Sequence, residues 1–160
     1  MTRLGKVRTA LVLSGLAALL VAGCAGAQSA SKIGTGDVVA DRQRLMKLNG
    51  ASWADAQAKM KTGNVEAIAV NAETMALNAE HIPMLFPQGS LTDKSKAKPE
   101  VWQKWPEFEA ASVNMVTWSV RLRDAARTKN AAATEAVMKE FGAKACGTCH
   151  QPFRVPPPRS

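Results

Sequence analysis

Cys146, Cys149 and His150 stand in the run KACGTCHQPF, positions 144–153, near the end of a 160-residue chain. Two thiols two residues apart, with an imidazole directly after the second, suit three kinds of chemistry. A dithiol pair exchanges disulfides where a strand feeds a helix in an α/β fold. A zinc site needs about four ligands, and beyond these three only His81 is an obvious further candidate downstream of the N-terminal leader. Covalent haem attachment uses every position: the thiols add across two vinyl groups, and the histidine turns onto the iron as its proximal ligand. On a helix, spacings of three and four residues would point all three side chains at one porphyrin edge.

The elements carrying the run discriminate among these chemistries. From Asp37 onward the chain is rich in Ala, Met, Leu, Lys and Glu, contains no Tyr, and lacks the alternating β-branched runs of strands. It reads as all-α. Breaks at Gly63-Asn64, Pro83 to Ser90, 93–99 and Lys129-Asn130 leave four helical segments. The first runs from about Asp37 to Met60, with Val38, Leu45, Leu48, Ser52 and Ala56 inward and Gly50 loosening its middle. The second starts at Asn64 as N-cap, carries Ile68, Ala72, Met75 and Ala79 as a stripe, and stops before Pro83. A third begins near Pro106 and turns Phe108, Ala111, Met115, Trp118 and Leu122 inward. The fourth starts near Asn130 and presents Thr134, Val137, Phe141 and Lys144 or Ala145 before the motif. Two tight connections and a longer one at 83–105 make an antiparallel up-and-down four-helix bundle over 37–154 the simplest packing. Residues 155–160 form a proline-rich flexible tail.

The N-terminus has its own organisation. Arg3, Lys6 and Arg8 precede an apolar run from Ala10 to Ala22 and then small residues, the pattern of a secretory signal peptide. Ala25-Gly26-Ala27 suits cleavage that removes 1–27, while Val21-Ala22-Gly23-Cys24 resembles a lipobox that would remove 1–23 and lipidate Cys24. Residues 28–36 are then a short linker. Removing the three basic residues of the leader leaves 18 basic against 13 acidic residues, so the exported chain carries about +5 rather than the full chain's +8. The surplus is spread out apart from Lys94, Lys96 and Lys98, and no aromatic residues interleave with it as a nucleic-acid platform requires. The expected partners are therefore proteins, not nucleic acid, with the membrane reached only through a lipid anchor.

With no strand to seat a redox dithiol and too few ligands for zinc, covalent haem c is the expected cofactor, one per chain. Export agrees, since such motifs receive haem outside the cytoplasm.

The late position of the motif carries a resemblance. With Arg42-Gln43 in the first helix, PEVWQKWPEF at 99–108 and Phe153-Arg154 after the histidine, the chain resembles the class II cytochromes c, the cytochrome c′ group. The resemblance spans nearly all of 37–154 and implies a four-helix bundle closing on the haem site. It also implies a residue opposite the iron, four positions after the arginine. In the cytochromes c′ proper a bulky apolar residue there leaves the iron five-coordinate and open to NO or CO. Here the position is Met46, which resembles the six-coordinate, low-spin His/Met branch that carries electrons. The implied function is a periplasmic electron carrier, not an enzyme, serving redox partner proteins and forming homodimers through its first two helices in many relatives. Gas binding or detoxification is the alternative. Arg42 resembles the family arginine near the haem propionates, with solvated surface charge as its other reading. His81 reads as structural, and Leu45, Trp118 and Phe141 are expected around the haem.

Overall fold

The computed structural model describes residues 34–157. The signal segment, the lipobox and Cys24 lie outside the described residues. Among the described residues the fold is helical throughout, with no strand beyond an isolated antiparallel bridge between Ala97 and Arg154. Its elements are α1 (Val38–Lys61), α2 (Ile68–Glu80), a 3-10 turn at Pro83–Leu85, α3 (Glu100–Gln103), α4 (Trp105–Arg127), α5 (Ala131–Phe141) and α6 (Thr148–Phe153). A π-helical turn, Gly142–Gly147, joins α5 to α6, so the last three pieces make one composite helix. This helix, α1, α2 and α4 form a four-helix bundle.

Local chemistry sets most of the ends. Asp37 caps α1 by accepting from the amides of Val39 and Ala40, and Asn130 caps α5 through Ala133. Pro106 sits in the first turn of α4, where its missing N–H costs nothing. Two expectations change. Asn64 does not cap α2, because its amide donates to Lys59 O while that of Gly63 donates to Met60 O, which is the Schellman closure of α1. Gly63 supplies the left-handed residue at φ 75°, and Val65 then dips into the core before α2 starts at Ile68. Gly50 does not interrupt α1.

The core lies mainly among α2, α4 and the composite helix. Ile68, Ala72, Met75 and Ala79 of α2 are all buried, as are Phe108, Ala111, Met115 and Leu122 of α4 and Thr134, Phe141 and Ala145 of the composite helix. Trp118 and Val137 are only half-buried and Lys144 is exposed. α1 departs furthest from its expected stripe: Leu48 is 51% exposed and Val38 and Ser52 only half-buried, while Asp41, Arg42, Asn49 and Ala56 are buried. Its inner side is divided. One part meets α2 through polar ties, Asn78 Nδ2 donating to Asn49 Oδ1 at 2.8 Å and Asn71 Nδ2 to Asp55 Oδ2 at 2.8 Å. The other part faces α5 and α6, where Trp53 stacks on Phe141 with ring centroids 4.8 Å apart.

The long connection is ordered by the elements it crosses. Trp102 Nε1 donates to the carbonyls of Phe86 and Pro87. The Lys98 amide donates to Phe153 O at 2.9 Å and the Val155 amide to Lys96 O at 2.8 Å, so residues 96–98 lie as a strap along the end of α6.

Candidate functional site

A cavity of about 420 Å³ opens between α1, the strap and α6, within the range of about 300–1,000 Å³ usual for cofactor sites. Met46, Cys149 and His150 share its wall, joined by Arg42 from α1 and Arg154 from the end of α6. The apolar walls are Val39, Ile82, Phe86, Val101, Phe108 and Phe153. The aromatic part is locked in place, since Phe108 packs edge-on against both Phe86 and Phe153, with centroids 4.8 and 5.4 Å away.

The structure brings together Met46, Cys149, His150 and Arg42 and leaves Cys146 aside. Cys146 lies in the π turn, half-buried against the core, and is not on the cavity wall. The expected single face for Cys146, Cys149 and His150 holds for an α-helix; the wider i→i+5 turn breaks that stacking. Leu45, Trp118 and Phe141 do not line the cavity either. Phe86, Phe153, Ile82 and Val101 do that work instead; the signal for Phe86 and Val101 was the apolar content of the long connection, while Ile82 just precedes it and Phe153 ends α6. Ser95, Lys96 and Ala97 of the strap were likewise unforeseen. His81 is exposed at the end of α2, with Nδ1 2.7 Å from Leu77 O, and belongs to the helix end.

Arg42 is 5% exposed, which removes the surface-charge reading. Its Nε donates to Leu85 O at 2.5 Å, and its terminal nitrogens donate to Ser90 O at 3.1 Å, to Ser95 Oγ at 3.4 Å and to Ser90 Oγ. The guanidinium lies over the Phe86 ring, 4.1 Å from its centroid. Burial lowers its pKa, with Asp37 opposing the shift. Among the described residues no ion pair joins Arg42 to a carboxylate, so carbonyl and hydroxyl oxygens and the Phe86 ring hold this buried cation at the border of the cavity.

The thiols themselves decide among the three chemistries. Burial raises the pKa of Cys146, and burial with the neighbouring Cys146 pushes Cys149 up to about 11. A disulfide-exchanging pair needs the opposite shift, toward thiolate. Among the described residues no three His, Cys, Asp or Glu side chains gather as a metal site. Partial desolvation and the Arg154 cation lower the pKa of His150, which favours the neutral form of its ring. An apolar slot with a neutral imidazole and a protonated thiol on one wall, and a cation without a carboxylate partner at its edge, fits a haem.

The comparisons agree. The family model described as Cytochrome C' matches residues 37–154. The chain is 35% identical to cytochrome c-556 of Agrobacterium fabrum over 136 residues, 82% of this chain and 87% of that protein. It is also 35% identical to cytochrome c' of Pararhodospirillum photometricum over 92 residues, 57% of this chain and 72% of that one. Among solved structures, cytochrome c' of Rubrivivax gelatinosus superposes with a TM-score of 0.64 at 24% identity, covering 74% of this chain and 95% of that one. A cytochrome c' with ligand-controlled dimer dissociation superposes at 0.68 and 23% identity, covering 77% of this chain and 99% of that one. The bundle, the cavity behind Cys149 and His150 and the match over 37–154 converge: this chain belongs to the cytochrome c′ family, and covalent haem c follows, with Cys146 and Cys149 fitting its attachment motif.

Proposed function

We propose that this chain is a periplasmic haem protein that carries single electrons between redox partner proteins, with His150 and Met46 as the two axial ligands. Bound haem supplies a one-electron iron couple. His150 offers a neutral imidazole, and Cys146 and Cys149 tether the group. Phe86, Phe108 and Phe153 keep water from the cavity, which favours a raised reduction potential. The observation that carries this reading is the place of Met46, half-buried on the same cavity wall set as His150. With both axial positions filled by protein, no site is left for a substrate. Arg42 borders the cavity without an ion-paired carboxylate, and we assign it to a haem propionate, a partner it could pair with there.

A second reading leaves the distal side open to small gases, and the family match fits it better than the first. A solved neighbour, cytochrome c prime from Alcaligenes xylosoxidans, was captured as a nitric oxide complex of a mutant. Exposed Leu48 on α1 and Val70 and Leu77 on α2 suit a homodimer through these helices.

One optical experiment separates the readings. The exported protein should show a low-spin spectrum with the weak far-red methionine-to-iron band, and carbon monoxide should leave its ferrous form unchanged at neutral pH. Met46→Ala should turn it high-spin and carbon monoxide-binding. A wild-type protein that is high-spin and takes up the gas would place it with the open-iron members.

A further inference from the structure

The fourth helix changes its winding just before the haem site. A π turn pairs each carbonyl with the amide five residues on, takes in one residue more than an α turn, and strands a carbonyl where α geometry resumes. Gly142–Gly147 is such a turn, and Thr148 begins α6. Two side chains converge on one backbone oxygen within it. Asn114 Nδ2 donates to Lys144 O at 2.5 Å from α4, and Thr148 Oγ1 donates to the same oxygen at 2.7 Å. The threonine bond to the carbonyl four residues back is common in helices. A cross-helix amide on that same oxygen is not, and it identifies Lys144 O as the carbonyl that needs outside donors.

We infer that Asn114 and Thr148 are positioning residues: they hold a one-residue π bulge that sets the facing of Cys149 and His150 into the cavity, an inference that rests on the haem reading of that site. Each α-helical residue turns the chain by about 100° and advances it about 1.5 Å. If the bulge relaxed to α geometry with every residue retained, all of α6 would turn by about that angle relative to α5. Cys149 and His150 would then leave the wall they share with Met46, and Phe153, 6% exposed, would leave the core. Thr134 and Phe141 bury the helix on one side of the change and Phe153 on the other. The bulge reconciles the two faces. It also gives Thr148, the residue between the two cysteines' glycine and the second thiol, a task of its own.

Removing one exposed residue from the bulge, Ala143, should leave a continuous α-helix with the same facing on both sides, and this supplies the test. The full chain would be exported from a host that attaches haem, as wild type, Thr148→Ser, Asn114→Ala/Thr148→Val, the Ala143 deletion, and the deletion combined with the double substitution. Intact mass reads the fraction of chains carrying haem, the optical spectrum reads the axial ligands, and circular dichroism reads the fold. Wild type, Thr148→Ser and the deletion alone should load alike. The double substitution should keep its helicity but lose about ten-fold in haem-loaded chains with His150 ligated, the scale of two lost hydrogen bonds. The deletion should restore loading in that background. Full loading of the double substitution overturns the inference, and so does loss of loading in the deletion alone or its failure to rescue. Wild-type chains without covalent haem would overturn the haem reading beneath it.

Discussion

Arg42 shows how one side chain can be legible in part. Its place in the first helix, four residues before Met46, was readable from spacing, whereas its partners Leu85, Ser90 and Ser95 stand 43 to 53 residues away. No local pattern announces such contacts. Because the guanidinium is buried and holds the loop that walls the cavity, Arg42→Ala should cost about 2–4 kcal/mol, the range for losing hydrogen bonds to a buried charge. Urea unfolding should show this as a lower midpoint with an unchanged slope. Arg42→Lys should recover little of it, since an ammonium cannot reproduce four bonds from a planar fork. At the same scale, Met46 and Cys149 lie on the cavity wall, while Cys146, which fits the same attachment motif, lies off it. Its expected facing assumed an α turn, and the π turn is a tertiary adjustment.

At the scale of elements, the helices followed from periodicity and the ends from capping chemistry, apart from one competition. Gly63-Asn64 offers both a stop for α1 and a start for α2, and the stop prevails because the Schellman bonds satisfy two carbonyls of α1 at once. Gly63→Ala should therefore destabilise the protein by about 1–2 kcal/mol, the cost of a left-handed non-glycine residue. Gly50→Ala should do the reverse. Gly50 is exposed in mid-helix, and a Cβ there meets nothing within 4 Å, so about 0.4–1 kcal/mol of stability is expected from the smaller unfolded ensemble. Thermal melting of the two variants should move in opposite directions. Asn130→Ala should lower stability by about 1 kcal/mol through loss of the α5 cap, with the haem spectrum unchanged.

For the whole molecule, polar ties rather than apolar contacts join much of α1 to α2, and this gives acid a point of attack. Hydrogen bonds from Lys59 and Asn71 hold the Asp55 carboxyl below its usual value of 3.8. A carboxylate lowered in the fold contributes stability that is present above its ordinary pKa and drains away as pH falls through the lowered one. Denaturant midpoints should fall between pH 5 and roughly pH 3 in the wild type, and Asp55→Asn should flatten that decline, with a neutral-pH midpoint lower by the amount the wild type loses in acid through this carboxyl. No helix among the described residues is long and apolar enough to cross a membrane.

The sequence by itself determined the helical class, the approximate helix breaks and the CxxCH chemistry, because each depends on residues within a few positions of one another. The match to the cytochrome c′ family was readable in Arg42-Gln43, in PEVWQKWPEF at 99–108 and in the motif with Phe153-Arg154 after it. Only the tertiary structure decided which apolar residues wall the cavity, what Arg42 holds, and how the helix is rewound before Cys149 and His150. Those outcomes depend on contacts between segments far apart in the chain, such as Asn114 with Lys144 or Lys98 with Phe153. Their geometry is set by how whole helices pack, and a local pattern of residue types does not carry it.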